Sequence, residues 1–405
     1  ILIKRETYLR RIRPFINTDL IKVMTGMRRC GKSVMLELIK QELLASGVSR
    51  QQIIFLNFED MRYAHLNNAQ ALHDEVIKLA TPIEGKIFLF FDEIQEVEHW
   101  EKCLNSFRLE LDCDIYITGS SAKLLSGELA TVLGGRYVEF NIYPFSFTEF
   151  KELYSTVCNF NNEQEIFKQY LTLGGMPYLA SLHYSEEPSR QYLQDVFNSV
   201  VLNDIIKRNK VRDVDLLTRI IFYIMQNIGN TFSAASIAKF LKSERRNASV
   251  ETILNYISYA TNAYFLYKIR REDLIGKQIL STNEKYYLAD HGLREAICGG
   301  NISNINLILE NIVFLELLRR GYKVTVGKVG NKEIDFIAQK REQKIYVQVT
   351  YLLASEETIA REFDVYSLVD DNFPKYVVSL DDLDFSHRGI KHCHMREFLT
   401  MDCWD

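Results

Sequence analysis

The stretch Gly26-Met-Arg-Arg-Cys-Gly31-Lys32-Ser33 constrains this chain more than any other, because it fills every fixed position of the pattern G-x-x-x-x-G-K-[ST]. Such a loop surrounds phosphates with successive backbone N–H groups and the positive end of the following helix, and glycine lets the backbone come that close. An apolar run, Leu20-Ile-Lys-Val-Met24, precedes it, and Met35, Leu38, Ile39 and Leu43 recur behind it at helical spacing. Strand, loop and helix in that order place Gly26, Arg28, Arg29, Cys30, Gly31, Lys32, Ser33 and Val34 around a nucleotide. Lys32 is expected against the β- and γ-phosphates and the Ser33 hydroxyl on Mg²⁺.

Two later strands carry the rest of that chemistry. Lys86-Ile-Phe-Leu-Phe-Phe-Asp92-Glu93 is an apolar strand ending in adjacent carboxylates, of which Asp92 would hold Mg²⁺ and Glu93 would polarise a water for attack on the γ-phosphorus. Asp114-Ile-Tyr-Ile-Thr-Gly-Ser120-Ser121 ends in hydroxyls, and Ser120 is expected to hydrogen-bond the attacking water or the γ-phosphate. Gly134-Gly135-Arg136 precedes a further strand, and Arg136 is either a phosphate-sensing arginine or half of a structural ion pair. Residues 4–13 hold five basic residues against one acid and read as a short helix with a solvated face.

These motifs, followed by Pro144-Phe-Ser-Phe-Thr-Glu-Phe150 and Tyr170-Leu-Thr-Leu-Gly-Gly-Met-Pro177, resemble the bacterial and archaeal AAA-like ATPases that carry a C-terminal domain of unknown function. The resemblance implies ATP as the nucleotide, a parallel-sheet α/β ATPase core over 1–145 and a helical lid over 146–211. Arg28 and Arg29 are also similar to that family's loop.

The remainder changes character. Apolar periodicity over Leu216–Ile228, Ser233–Leu241 and Ser249–Ala263, with a hairpin behind it over Lys268–Tyr287 and Gly276 at its tip, resembles a winged helix-turn-helix, assigned to 212–300. Over 231–295 ten Lys/Arg stand against seven Asp/Glu. That bias leaves contact with double-stranded DNA open beside a protein-binding or structural role. From 301 to 405 the order helix, hairpin, strand resembles the PD-(D/E)XK nuclease fold. Asp335 would then be its first metal carboxylate and Glu310 an assistant, but Gln348 and Thr350 stand where an acid and a lysine are needed. Glutamine is a weak neutral ligand and threonine carries no positive charge, so this site is expected to be inactive unless Lys344 or Lys375 supplies the missing cation. The alternating His392-Cys393-His394 splits between two strand faces and is assigned no metal.

A net charge of −4 and a pI near 6.1 argue against coating nucleic acid through overall charge. Seven cysteines without a C-x-x-C pair fit a reduced, cytoplasmic setting, and no apolar run approaches the roughly 18 residues of a membrane span. The expectation is a Mg²⁺-dependent ATPase whose nucleotide state moves its C-terminal half, acting on a protein partner or as a homo-oligomer. An ATP-regulated DNA-binding nuclease is the alternative. A small-molecule kinase suits the Asp92-Glu93 pair less well, since adjacent acids favour water activation.

Overall fold

The computed structural model describes residues 2–125, 134–276, 278–300 and 304–404. The chain forms two compact units, Ile1–Tyr143 with Asn262–Tyr264, and Pro144–Thr261 with Phe265–Asp405.

The sheet of the first unit contains β1 (Ile21–Thr25), β2 (Ile53–Asn57), β3 (Ile87–Asp92), β4 (Cys113–Gly119) and β5 (Tyr137–Asn141), all parallel, in the order β2-β3-β4-β1-β5. Every residue of β1 and of β3 is buried, as parallel strands covered on both faces require. Leu89, Phe91, Ile94, Trp100, Leu104 and Phe107 belong to one core cluster. Because all strands run the same way, the ends of β1, β3 and β4 share one edge of the sheet, where open α/β sheets bind ligands. Thr25 lies level with Gly119, and Phe91 with Ile117. β4 therefore separates the phosphate loop from the acidic pair.

The second unit begins with the helices Phe147–Cys158, Glu163–Leu173 and Glu186–Asp195, and continues with Val214–Gln226, Ala234–Ser243 and Val250–Asn262. Its sheet is seven-stranded, in the order β12-β11-β10-β9-β8-β6-β7. The strands are β6 (Leu266–Asp273), β7 (Gln278–Leu288), β8 (Lys323–Val329), β9 (Lys332–Lys340), β10 (Gln343–Val349), β11 (Lys375–Ser379) and β12 (Lys391–His394). The expected hairpin is present as antiparallel β6 and β7, but it does not stand apart from the C-terminal strands. Arg271–Asp273 pair in parallel with Val326–Lys328, and Thr325 Oγ1 donates to Glu272 Oε2 at 2.9 Å. A boundary at 300/301 would thus cut a continuous sheet, a difference that hydrophobic patterning alone cannot reveal because it does not show which strand edges pair.

One interaction inside the first unit stands out chemically. Lys22 on β1 and Asp114 on β4 form a salt bridge with neither side chain exposed. Lys22 Nζ also donates to Leu20 O at 2.7 Å, while Asp114 Oδ2 accepts from Tyr116 Oη at 2.7 Å and Asn17 N at 2.8 Å. Burial pulls the Lys22 pKa below its ordinary value, and Asp114 opposes that pull. The pair joins the strand that leads into the phosphate loop to the strand that ends at Ser120. Removing one partner strands a buried charge, so Lys22→Met is expected to lower the stability of the folded chain by about 3–5 kcal/mol in urea unfolding.

Candidate nucleotide-binding site

Where the loop leaves β1, Gly26 has φ 142°, and a Cβ built there would lie 2.3 Å from the Ile142 carbonyl oxygen. No side chain fits that approach. Gly31, at φ 103°, turns the chain into the helix Lys32–Ala45. Cys30 is buried, with Sγ donating to Ile142 O at 3.1 Å. Val34 and Ser33 are exposed, and Arg28 Nη2 reaches Glu59 Oε1 at 2.9 Å.

The basic segment at 4–13 forms the short helix Glu6–Ile12 with Lys4 and Arg10 exposed, but its opposite face is buried. Arg5, Tyr8, Leu9 and Ile12 are buried. Arg5 Nη1 donates to Cys30 O at 3.2 Å and Nη2 to Tyr143 O at 2.8 Å, with the guanidinium 4.6 Å from the centroid of the Tyr8 ring. Tyr8 Oη in turn accepts from Tyr143 N at 3.0 Å. An arginine in the N-terminal helical segment thereby fixes the phosphate loop against the chain beyond β5.

The two carboxylates at the end of β3 are held differently. Thr118 Oγ1 donates to Asp92 Oδ1 at 2.6 Å and accepts from Glu93 N at 2.8 Å, so one hydroxyl on β4 orients both acids. Glu93 sits at φ 52°, which turns its side chain away from the strand direction toward the loop. Lys32 Nζ lies 3.3 Å from Glu93 Oε1 and donates to Met27 O at 3.1 Å. Ser120 Oγ donates to Glu93 Oε2 at 3.1 Å, and Gln95 Nε2 donates to the same oxygen. Burial pushes the Asp92 pKa up, against hydrogen bonds from Thr118 and Ser33. Burial also raises Glu93, but Lys32, Gln95 and Ser120 outweigh it and leave that carboxyl below its ordinary value. The neighbours therefore have opposite tendencies: Glu93 is favoured as an anion, whereas burial and the Glu93 charge hold Asp92 above its ordinary value despite Lys32.

Those residues suit Mg²⁺. The Ser33 hydroxyl, which favours the anion of Asp92, and that carboxylate offer hard oxygen donors, and Mg²⁺ typically takes one or two protein oxygens together with substrate phosphates. Lys32, Ser33, Asp92, Glu93 and Ser120 thus meet at one edge of the sheet. Arg136 does not join them. Its carbonyl accepts from Ile21 N at 3.0 Å, and Tyr137 is level with Ile21, which puts Arg136 at the start of β5 and the loop at the far end of β1. Four residue steps at ~3.3 Å each separate the two levels. Parallel register thus sets the Arg136 backbone at the opposite end of the sheet from the phosphate loop of its own chain. Local sequence motifs do not point to Thr118, Gln95 or Arg5, although Thr118 is a polar residue near the end of a largely apolar strand and Gln95 lies two residues past Glu93.

In the second unit, the last helix before the hairpin of the winged-helix-like segment, Val250–Asn262, holds Glu251 and no lysine or arginine. Arg246 pairs with Asp215 at 2.5 Å, and Arg219 with Asp215 at 2.9 Å and Glu244 at 2.7 Å. The basic bias is therefore not gathered on that helix. Further along, Gln348 Oε1 accepts from Asp335 N at 2.7 Å and Nε2 donates to Glu362 Oε2 at 2.9 Å, while Thr350 N donates to Val378 O at 3.0 Å. Lys344 and Lys375, the expected replacement cations, lie instead beside Asp371, at 3.9 and 3.3 Å. Both ring nitrogens of His392 are engaged, with Ser379 Oγ at 2.9 Å and Phe385 N at 3.2 Å.

A family model described as an AAA domain matches residues 18–151, and a second, described as a domain of unknown function, matches 164–304. An uncharacterized protein of Haemophilus influenzae is 40% identical over 379 residues, 93% of each chain. The uncharacterized protein MJ1544 of Methanocaldococcus jannaschii is 31% identical over 387 residues, 92% of this chain and 83% of that one. Among solved structures, a Walker-type ATPase of Pyrococcus abyssi, 16% identical, shares the fold with a TM-score of 0.52 over 73% of this chain and 95% of that one. Residues 18–151 thus match an AAA domain, and the chain shares the P-loop ATPase fold of that structure. The chain belongs to the same family as the Haemophilus influenzae and Methanocaldococcus jannaschii proteins. Among the described residues no helix is long and apolar enough to cross a membrane.

Arg5→Met removes two donors that hold the loop and leaves the carbonyls of Cys30 and Tyr143 without them. Replacing such charged hydrogen bonds is expected to cost about 1.5–3 kcal/mol in thermal or urea unfolding, and a loosened loop is expected to weaken ATP binding about tenfold in a fluorescence titration.

Proposed function

We propose that the chain is a Mg²⁺-dependent ATPase that hydrolyses ATP to ADP and phosphate, with its nucleotide state acting as a switch on the second unit. The observation that carries this reading is Glu93. Its carboxylate is kept anionic and is oriented by Ser120 and Gln95, at the ammonium of the phosphate-loop lysine.

The loop from Gly26 to Val34 surrounds the triphosphate, and Lys32 exchanges its contact with Glu93 for the β- and γ-phosphates. Glu93, released from that ammonium, accepts a proton from the water attacking in line with the β–γ bridging oxygen, and Ser120 orients water or γ-phosphate. Ser33 and Asp92 would hold Mg²⁺, which neutralises charge on the phosphates when bound. Arg28 and Arg29 flank the nucleotide from within the loop. Arg136, whose backbone lies at the far end of the sheet from its own chain's loop, serves the nucleotide of a second copy in a homo-oligomer. The absence of basic residues from the helix Val250–Asn262 favours a protein partner over double-stranded DNA for the second unit.

Lys32→Ala is expected to weaken ATP binding at least tenfold, because it removes the cation facing the phosphates. Glu93→Gln should retain binding and lose turnover by roughly 100-fold or more. Equilibrium nucleotide titration beside phosphate-release kinetics checks both, and equal losses of affinity would contradict these roles. Arg136→Ala should abolish turnover with ATP affinity unchanged, and mixing it with Lys32→Ala should restore phosphate release if the arginine acts between copies. No restoration, with oligomers present, would return Arg136 to a structural role.

A further inference from the structure

The resemblance to a nuclease fold implies a divalent cation at Glu310 and Asp335, and the residues present do not fit one. Glu310 from the helix Ile305–Arg319 and Glu333 and Asp335 from β9 are joined by a lysine from β7. Lys285 Nζ lies 2.5 Å from Glu333 Oε1 and 4.0 Å from Asp335 Oδ1, and its side chain is only 5% exposed. Tyr287 shares a strand face with Lys285 and donates Oη to Glu310 Oε2 at 3.0 Å. The second oxygen of Asp335 accepts from Val349 N at 2.8 Å, and Arg271 Nη2 reaches Glu333 Oε2 at 3.4 Å.

The carboxylate oxygens here face an ammonium, a phenol, an amide and a guanidinium. A Mg²⁺-like ion would need several of them free at ~2.0–2.1 Å in an octahedral shell. Among the described residues no group of three or more His, Cys, Asp or Glu is arranged to hold a metal. Gln348, at the position of the missing acid, has both ends of its amide engaged.

We infer that Lys285 is the resident cation of this cluster: its ammonium stands in for a metal ion and ties β7 to β9, making the acidic group a structural joint that neither binds divalent metal nor cleaves phosphodiesters. Electrostatics agrees. Burial alone would push Lys285 down, yet Glu310, Asp335 and Glu333 outweigh it and its pKa ends above the ordinary value. Burial raises Glu310 and Asp335, and Lys285 opposes that rise in both. A tethered ammonium cannot be chelated away, and losing either side of such a buried pair leaves an uncompensated charge. This inference does not depend on the ATPase reading.

The test measures Mn²⁺ bound to the full chain without nucleotide, by electron paramagnetic resonance of the free ion, in wild type and Asp335→Asn. The expected result is equal binding, since any Mn²⁺ at Ser33 and Asp92 is common to both. Thermal unfolding of Lys285→Met, Asp335→Asn and the double variant completes it. Each single substitution should lower the melting temperature, and the double variant should melt no lower than the less stable single. A wild type that binds one more Mn²⁺ than Asp335→Asn overturns the inference, and so do additive losses of melting temperature. The Mn²⁺ comparison involves no lysine variant, so it decides the matter even if Lys285→Met does not fold.

Discussion

A lysine ammonium and a glutamate carboxylate, 3.3 Å apart and nearly excluded from water, set the terms for the first unit. Neither charge can be left alone there, because desolvation would cost several kcal/mol per ion. The sheet satisfies both. β1 delivers Lys32 through a loop that only glycine can begin, β3 delivers Glu93, and β4 between them supplies the Thr118 hydroxyl that aims the acids. A triphosphate is another anion that the ammonium at that edge can face. On the proposed reading, exchange between two anionic partners couples nucleotide binding to release of the carboxylate that would activate water.

How much of this is legible in the sequence depends on the kind of signal each residue carries. The phosphate loop, the strand ending in Asp92-Glu93 and the strand ending in Ser120 are readable because their glycines, apolar runs and terminal polar residues are local features. Arg5 is hidden by counting charge: five cations in ten residues look solvated, while Arg5, Tyr8, Leu9 and Ile12 form one helical stripe that is buried. Thr118 looks like strand filler because its importance lies in reaching a different strand. Arg136 reads as near the phosphates through its flanking glycines, whereas parallel register puts the start of β5 at the other end of the sheet.

The second unit is less legible for a related reason. Its helices and strands are visible in their periodicity, but the destination of each charged side chain is not. Arg219 and Arg246 count as basic in the sequence and are tied to Asp215 and Glu244 in the fold. Lys285 sits in an alternating hairpin beside two tyrosines and gives no sign that acids some fifty residues later converge on it. Charge counts describe a surface only after the internal pairs are removed.

The parallel pairing of β6 with β8 has a consequence for how this architecture can be taken apart. Division between residues 300 and 304 would not release two modules. It would strip a strand partner from each piece and leave rows of unsatisfied amide and carbonyl groups along fresh edges, the kind of surface that recruits other chains into aggregates. Separated at that point, each piece would need a new cover for its exposed edge before it could serve as an independent part.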